Sequence, residues 1–122
     1  MGIFDLFKTK TAIHPTRVRT MAEFNALVLE SQEPVIVDVW SASCAPCRTL
    51  EPILIDIATR YEGRVRVVEI GTQDTEAQLL GELEVRATPT LIMFKDGEEI
   101  GRAAGARPAG WFDQMIAKEF GV

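Results

Sequence analysis

A six-residue apolar run that ends in small residues and two cysteines leaves room for few architectures. Residues 34–48 read Pro-Val-Ile-Val-Asp-Val-Trp-Ser-Ala-Ser-Cys-Ala-Pro-Cys-Arg. Val35 to Trp40 carries β-branched residues at consecutive positions rather than alternating with polar ones, the signature of a strand buried on both faces. From Arg48 onward the period changes, and Leu50, Ile53, Leu54, Ile57, Ala58 and Tyr61 fall on one helical face. Cys44 therefore stands at the start of a helix that follows a central strand. There the free N–H groups and the positive end of the helix dipole favour an anion, and a thiolate is one.

The spacing of the cysteines dictates their chemistry. At a helix N-terminus the first cysteine of Cys-x-x-Cys can be exposed, with its pKa lowered by the dipole and by the second thiol. The second, Cys47, is one turn further in, near enough to close a small disulfide and displace a bound substrate. Pro46 has no N–H to lose and a φ suited to the first helical turn, so it stiffens the pair at little cost. Arg48 adds a positive charge nearby or points into solvent. Half of a zinc site would have the same spacing, but zinc needs further ligands. The chain has two cysteines and one histidine, His14. A lone structural disulfide is the other alternative, and the strand-to-helix placement speaks against it. Redox chemistry is expected, with no metal and no organic cofactor.

Asp38 interrupts the buried strand. A carboxylate there costs several kcal/mol unless it is paired or takes up a proton. Burial raises its pKa, which suits it to proton exchange near neutral pH. The alternative is an Asp satisfied by backbone groups.

The rest of the chain supplies one domain. Its 122 residues suffice for a single core and not for two. A net charge of −5 with no basic stripe argues against nucleic acid as a partner. No stretch approaches the roughly twenty apolar residues of a membrane span. Residues 1–15 are expected to be an amino-terminal extension and residues 16–122 the domain. Met1 to Lys10 holds Ile3, Phe4, Leu6 and Phe7, then Lys8 and Lys10. It lacks the order of a signal peptide, so a cytoplasmic protein is expected. So short an amphipathic segment is marginal as a helix alone and is expected to fold onto the domain's own surface. Docking on a partner is the alternative, and membrane contact through residues 2–10 is not expected.

Thr16 to Arg19 suggests a short edge strand. Thr20 with Glu23 forms a capping box for a helix bearing Phe24, Leu27 and Val28, to about Ser31. Tyr61-Glu62-Gly63 reads as a helix stop and Val65 to Ile70 as a strand. Thr75 with Gln78 offers a cap for a helix carrying Leu79, Leu80 and Leu83. Thr90 to Phe94 is a strand, Asp96-Gly97 a hairpin turn and Glu98 to Ala103 its partner. Pro108 opens a last helix with Phe112, Met115, Ile116 and Phe120 inward. Strands separated by helices, then a hairpin, predict an α/β fold: a mixed sheet with helices on both faces.

Val37-Asp38-Val39-Trp40 followed by Cys44-Ala45-Pro46-Cys47 resembles the thioredoxin family, whose usual motif is Trp-Cys-Gly-Pro-Cys. Pro52, Ala87-Thr88-Pro89-Thr90, Phe94-Lys95-Asp96-Gly97 and Gly105 continue the likeness in the family's order from about Met21 to the C-terminus. The resemblance implies the thioredoxin fold, with a central mixed β-sheet flanked by helices on both faces. It implies that Asp38 lies behind the disulfide and serves proton transfer to or from Cys47. It also implies that Pro89 is a cis-proline facing the cysteines and that the backbone of Thr88 pairs with a substrate strand. Trp40 is then a packing residue beside the site. Gly105 either lets a substrate backbone approach or serves only its own turn.

Three departures bear on specificity. Ser43 replaces the tryptophan before the first cysteine and removes a flat aromatic surface from the substrate side. Ala45 replaces the glycine between the cysteines. Glu69 stands where many thioredoxins carry a lysine. Pointed at Asp38, it would make two carboxylates raise each other's pKa; pointed outward, it would do nothing. The expected function is reduction of protein disulfides by dithiol–disulfide exchange through Cys44 and Cys47. Protein disulfides are the substrates, and by resemblance a thioredoxin reductase using NADPH is the electron donor. The alternatives are a specialised protein acting on one client and a non-catalytic thioredoxin-fold docking module.

Overall fold

The computed structural model describes residues 11–122, so the expected docking of Met1–Lys10 lies outside the described residues. Val35–Trp40 is the strand its apolar run predicts and forms the middle of a five-stranded sheet. In chain order the strands are β1 (Thr16–Arg17), β2 (Val35–Trp40), β3 (Arg66–Gly71), β4 (Thr90–Lys95) and β5 (Glu98–Ala104). Across the sheet they run β1-β3-β2-β4-β5. β3 lies parallel to both β1 and β2, whereas β4 is antiparallel to β2 and β5. The sheet is mixed because β4, which follows β3 through the segment 77–83, enters running against β2, and the tight hairpin then lays β5 antiparallel to β4.

The helices are α1 (Met21–Phe24), α2 (Ala45–Arg60), α3 (Ala77–Leu83) and α4 (Ala109–Met115). They divide between the two faces, and the strand residues alternate accordingly. Ile36, Val67, Leu91 and Met93 pack with Leu50, Leu54 and Ile57 of α2 and with Phe112 and Met115 of α4. Val35, Val37, Val39, Val68 and Ile92 pack with Phe24 of α1 and with Leu79 and Leu83 of α3. The mixed sheet with helices on both faces is thus present, and the alternation turns Asp38 towards α2. Phe112 is 0% exposed in the first of these cores. Phe112→Ala is expected to cost about 3–5 kcal/mol, seen as a lowered urea midpoint, because the neighbours cannot close over the lost ring.

Local signals held unevenly. Thr20 and Glu23 form the capping box, each side chain bonding the other residue's backbone N–H. α1 is shorter than its apolar pattern, because the chain passes into a π-helical turn over Asn25–Leu29. α4 ends likewise in a π-helical turn, Ile116–Phe120. The edge strand stops at Arg17, with Val18 still donating to the Glu69 carbonyl at 2.9 Å. Thr75 is not the cap of α3. Its hydroxyl donates to the Gly71 carbonyl at 2.6 Å, and Glu76 takes the cap position without a side-chain bond. At the hairpin, Asp96 and Gly97 have φ of 53° and 79°, the primed-turn geometry that matches strand twist. A β-carbon on Gly97 would lie 2.7 Å from the Leu29 carbonyl oxygen, so glycine is required twice over.

Candidate active site

Cys44 and Cys47 form a disulfide at the carboxyl end of the central strand. Cys44 is the N-cap of α2, and its sulfur accepts the Cys47 N–H at 3.2 Å. Small residues in the Ser41–Ser43 turn let the chain swing from β2 into the helix within four residues. Pro46 lies in the first helical turn, where its missing N–H leaves no intrahelical partner unmatched. Both cysteines are only 6% exposed, so Cys44 is less open than its position suggests. Ser43, Ala45 and Pro46 around it are exposed and surround the disulfide with small, non-aromatic side chains.

Beneath Cys47 lies a cavity of about 290 Å³. Asp38, Trp40 and Ser41 of the β2 end, Cys47, Arg48 and Glu51 of α2, Glu69 of β3 and Arg17 of β1 line it. Asp38 is 4% exposed, and its Oδ1 has no hydrogen-bond partner among the described residues. It is therefore not the carboxylate saturated by backbone groups that was the alternative. Burial pushes its pKa up to about 7, helped by the negative charges of Glu69 and then Glu51. Glu69 is its register partner on β3, so it faces Asp38 rather than pointing away. The inward-facing case is the one realised, with its effect seen at Asp38, and Glu69 is itself bound by Arg17.

The remaining expected residues arrive from two loops. Thr88-Pro89 is cis. Thr88 Oγ1 and Ser41 Oγ lie 2.7 Å apart, a hydrogen bond that ties this loop to the turn before Cys44. Gly105 has φ 89° and donates its N–H to the Pro89 carbonyl at 2.8 Å. An added β-carbon there would touch only the Arg107 guanidinium, at 3.6 Å, so the backbone turn is what calls for glycine. Trp40 packs at the cavity edge under the Arg17 guanidinium, 4.7 Å from its ring centroid. Arg48 reaches back to the Ala42 carbonyl at 3.4 Å.

Three contributors escaped the sequence reading. Arg17 is on an edge strand of two residues and carries no motif. Ser41 has a role only through Thr88, 47 residues away. Gly71 leaves room for the tryptophan, since a β-carbon there would meet Trp40 Cζ2 at 3.0 Å. Each depends on strand register, which no local pattern reveals.

A cysteine pair that closes the first turn of a helix, with a raised-pKa carboxyl in the cavity below, is the equipment of a dithiol–disulfide oxidoreductase. A family model, Thioredoxin, matches residues 15–118. The chain belongs to the thioredoxin family. It is 37% identical over 99 residues to thioredoxin 1 of Nostoc sp., covering 81% of this chain and 92% of the relative. It is 38% identical over 106 residues to thioredoxin C-2 of Corynebacterium nephridii, with 83% and 97% covered. With thioredoxin 1 of Synechococcus elongatus the identity is 40% over 89 residues, covering 73% and 82%. Like the rest of its family, it is a protein-disulfide oxidoreductase. No helix among the described residues is long and apolar enough to cross a membrane.

Proposed function

We propose that this protein reduces protein disulfides in the cytoplasm, with Cys44 as nucleophile, Cys47 as resolving thiol and Asp38 as proton acceptor. The observation that carries the reading is the Cys44–Cys47 disulfide with Cys47 and Asp38 on one cavity. In the reduced protein the Cys44 thiolate attacks one sulfur of a substrate disulfide. A Cys44–substrate disulfide forms, and the other substrate sulfur leaves as thiolate. Cys47 gives its proton to the Asp38 carboxylate, and its sulfur attacks Cys44 Sγ. The Cys44–Cys47 bond closes, and the second substrate thiolate departs. Two electrons pass from the dithiol to the substrate, and the Asp38 proton leaves through the cavity.

The parts support these roles physically. The Cys47 N–H and the helix end stabilise negative charge on the Cys44 sulfur. An acid of pKa about 7 is partly ionised at neutral pH and can both take and return a proton. Thr88, Pro89 and Gly105 are read as the substrate-side rim, Ala45 and Pro46 as the surface beside the disulfide, and Trp40 as a cavity wall. Residues 16–122 form the domain and residues 1–15 its extension. A thioredoxin reductase would return the electrons, and a reducing compartment sets the direction.

A reading with one dedicated client rests on Ser43, which leaves no broad aromatic surface beside Cys44. The test is insulin reduction with dithiothreitol as electron source. Catalysed turnover is expected and supports a general reductase. A folded protein whose disulfide is reduced by dithiothreitol but which leaves insulin untouched would replace that reading with the single-client one.

A further inference from the structure

Arg17, Glu69 and Asp38 stand side by side in one row of the sheet. Arg17 and Glu69 are register partners across β1 and β3, and Glu69 and Asp38 across β3 and β2. In-register neighbours on parallel strands point to the same face, here the face covered by α2. Arg17 Nε donates to Glu69 Oε1 at 3.1 Å, and its Nη1 donates to Asp74 Oδ2 at 2.7 Å. The same guanidinium lies over the Trp40 ring. One side chain thus joins the outer carboxylate, the loop after β3 and the aromatic wall of the cavity under Cys47.

We propose that Arg17 is a positioning residue of the active site, which clamps Glu69 and Trp40 as the cavity's outer wall and offsets the Glu69 charge facing Asp38. The inference rests on Asp38 being the proton-exchange group of the reaction. Without Arg17, the Glu69 carboxylate facing Asp38 would lose the cation it is paired with among the described residues. The other groups around Asp38 do not take its place. α2 contributes Arg48, which bonds the Ala42 carbonyl, Glu51, which is itself negative, and Cys47. β4 contributes Leu91, the register partner of Asp38 on its other side. A planar guanidinium suits this position because it can donate to two carboxylates and stack on an indole at once.

The test follows the Asp38 carboxyl carbon by NMR across pH in the oxidised protein, where neither cysteine titrates. Arg17→Ala is expected to raise the Asp38 midpoint by about half a unit to one unit. Arg17→Lys should recover part of that rise, and Glu69→Gln should lower the midpoint below wild type. Placed on Glu69→Gln, Arg17→Ala should move the midpoint less than half as far. The inference is overturned if Arg17→Ala leaves the midpoint in place, or moves it equally with and without Glu69. Resolution of a preformed Cys44 mixed disulfide, measured in Asp38→Asn, separates the two levels. Slowed resolution with an unmoved midpoint in Arg17→Ala removes Arg17 alone. Unchanged resolution in Asp38→Asn removes the proton-exchange reading and, with it, a reaction role for Arg17.

Discussion

Cys44→Ser is expected to return insulin reduction to the uncatalysed dithiothreitol rate, while Cys47→Ser stalls after the first exchange and accumulates a substrate adduct. The asymmetry follows from the helix end. Cys44 is the N-cap residue, and the Cys47 N–H points at its sulfur. A serine hydroxyl in that place keeps the cap and loses the nucleophile, because an alcohol stays protonated where a thiol ionises. The helix should therefore survive the substitution, and the loss of turnover should come with an unchanged circular dichroism spectrum. Cys47→Ser keeps the attacking group but has no sulfur to displace the substrate. Its adduct should run as a mixed disulfide on a non-reducing gel and vanish with excess dithiothreitol. Turnover in Cys44→Ser matching that of the wild type would take the chemistry away from this cysteine.

Asp38→Asn should have opposite effects on stability and on rate. The folded-state pKa of Asp38 is raised to about 7 from 3.8, so between those values the folded protein binds more protons than the unfolded chain. Stability then falls as pH rises across that interval and levels off above it. Three units correspond to about 4 kcal/mol at full ionisation. Asparagine fills nearly the same volume and never ionises. The oxidised variant should thus match wild type near pH 4 and exceed it by up to about 4 kcal/mol above pH 7, read from denaturant midpoints. Its rate should move the other way. With no acceptor for the Cys47 proton, resolution of the mixed disulfide should slow on the order of 100-fold at neutral pH. A variant no more stable than wild type at pH 8 would mean that Asp38 does not carry this burial cost. A carboxylate retained there despite its cost to the fold is the stability–activity trade-off expected of an active-site acid.

Much of the site was legible because it lies within one short stretch. Val35 to Cys47 holds the central strand, the buried carboxylate, the turn and the helix start, and each has a local signature. Asp38 was visible as a polar residue in an apolar run, and its raised pKa follows from that burial. The helix carrying Phe112 and Met115 was equally readable from its 3.6-residue period. Thr75 misled, because a Thr-x-x-Gln pattern is a cap only where the chain does not offer the hydroxyl a nearer acceptor. Here Gly71 does so. Glu69 could be read either as facing Asp38 or as turned outward, since strand alternation depends on which residue begins the pairing.

By itself the sequence determined the α/β class, the position of the redox pair at a helix N-terminus and the presence of a buried acid. These follow from periodicity and from the chemistry of single residues, which act over a few positions. The tertiary structure decided that Arg17, Glu69 and Asp38 form one row, that Ser41 meets Thr88, and that a cavity opens beneath Cys47. Arg17 and Glu69 are 52 residues apart and meet only because β1 and β3 pair in one particular register. That register is chosen by burial of both sheet faces at once, a property of the whole core that no local segment carries.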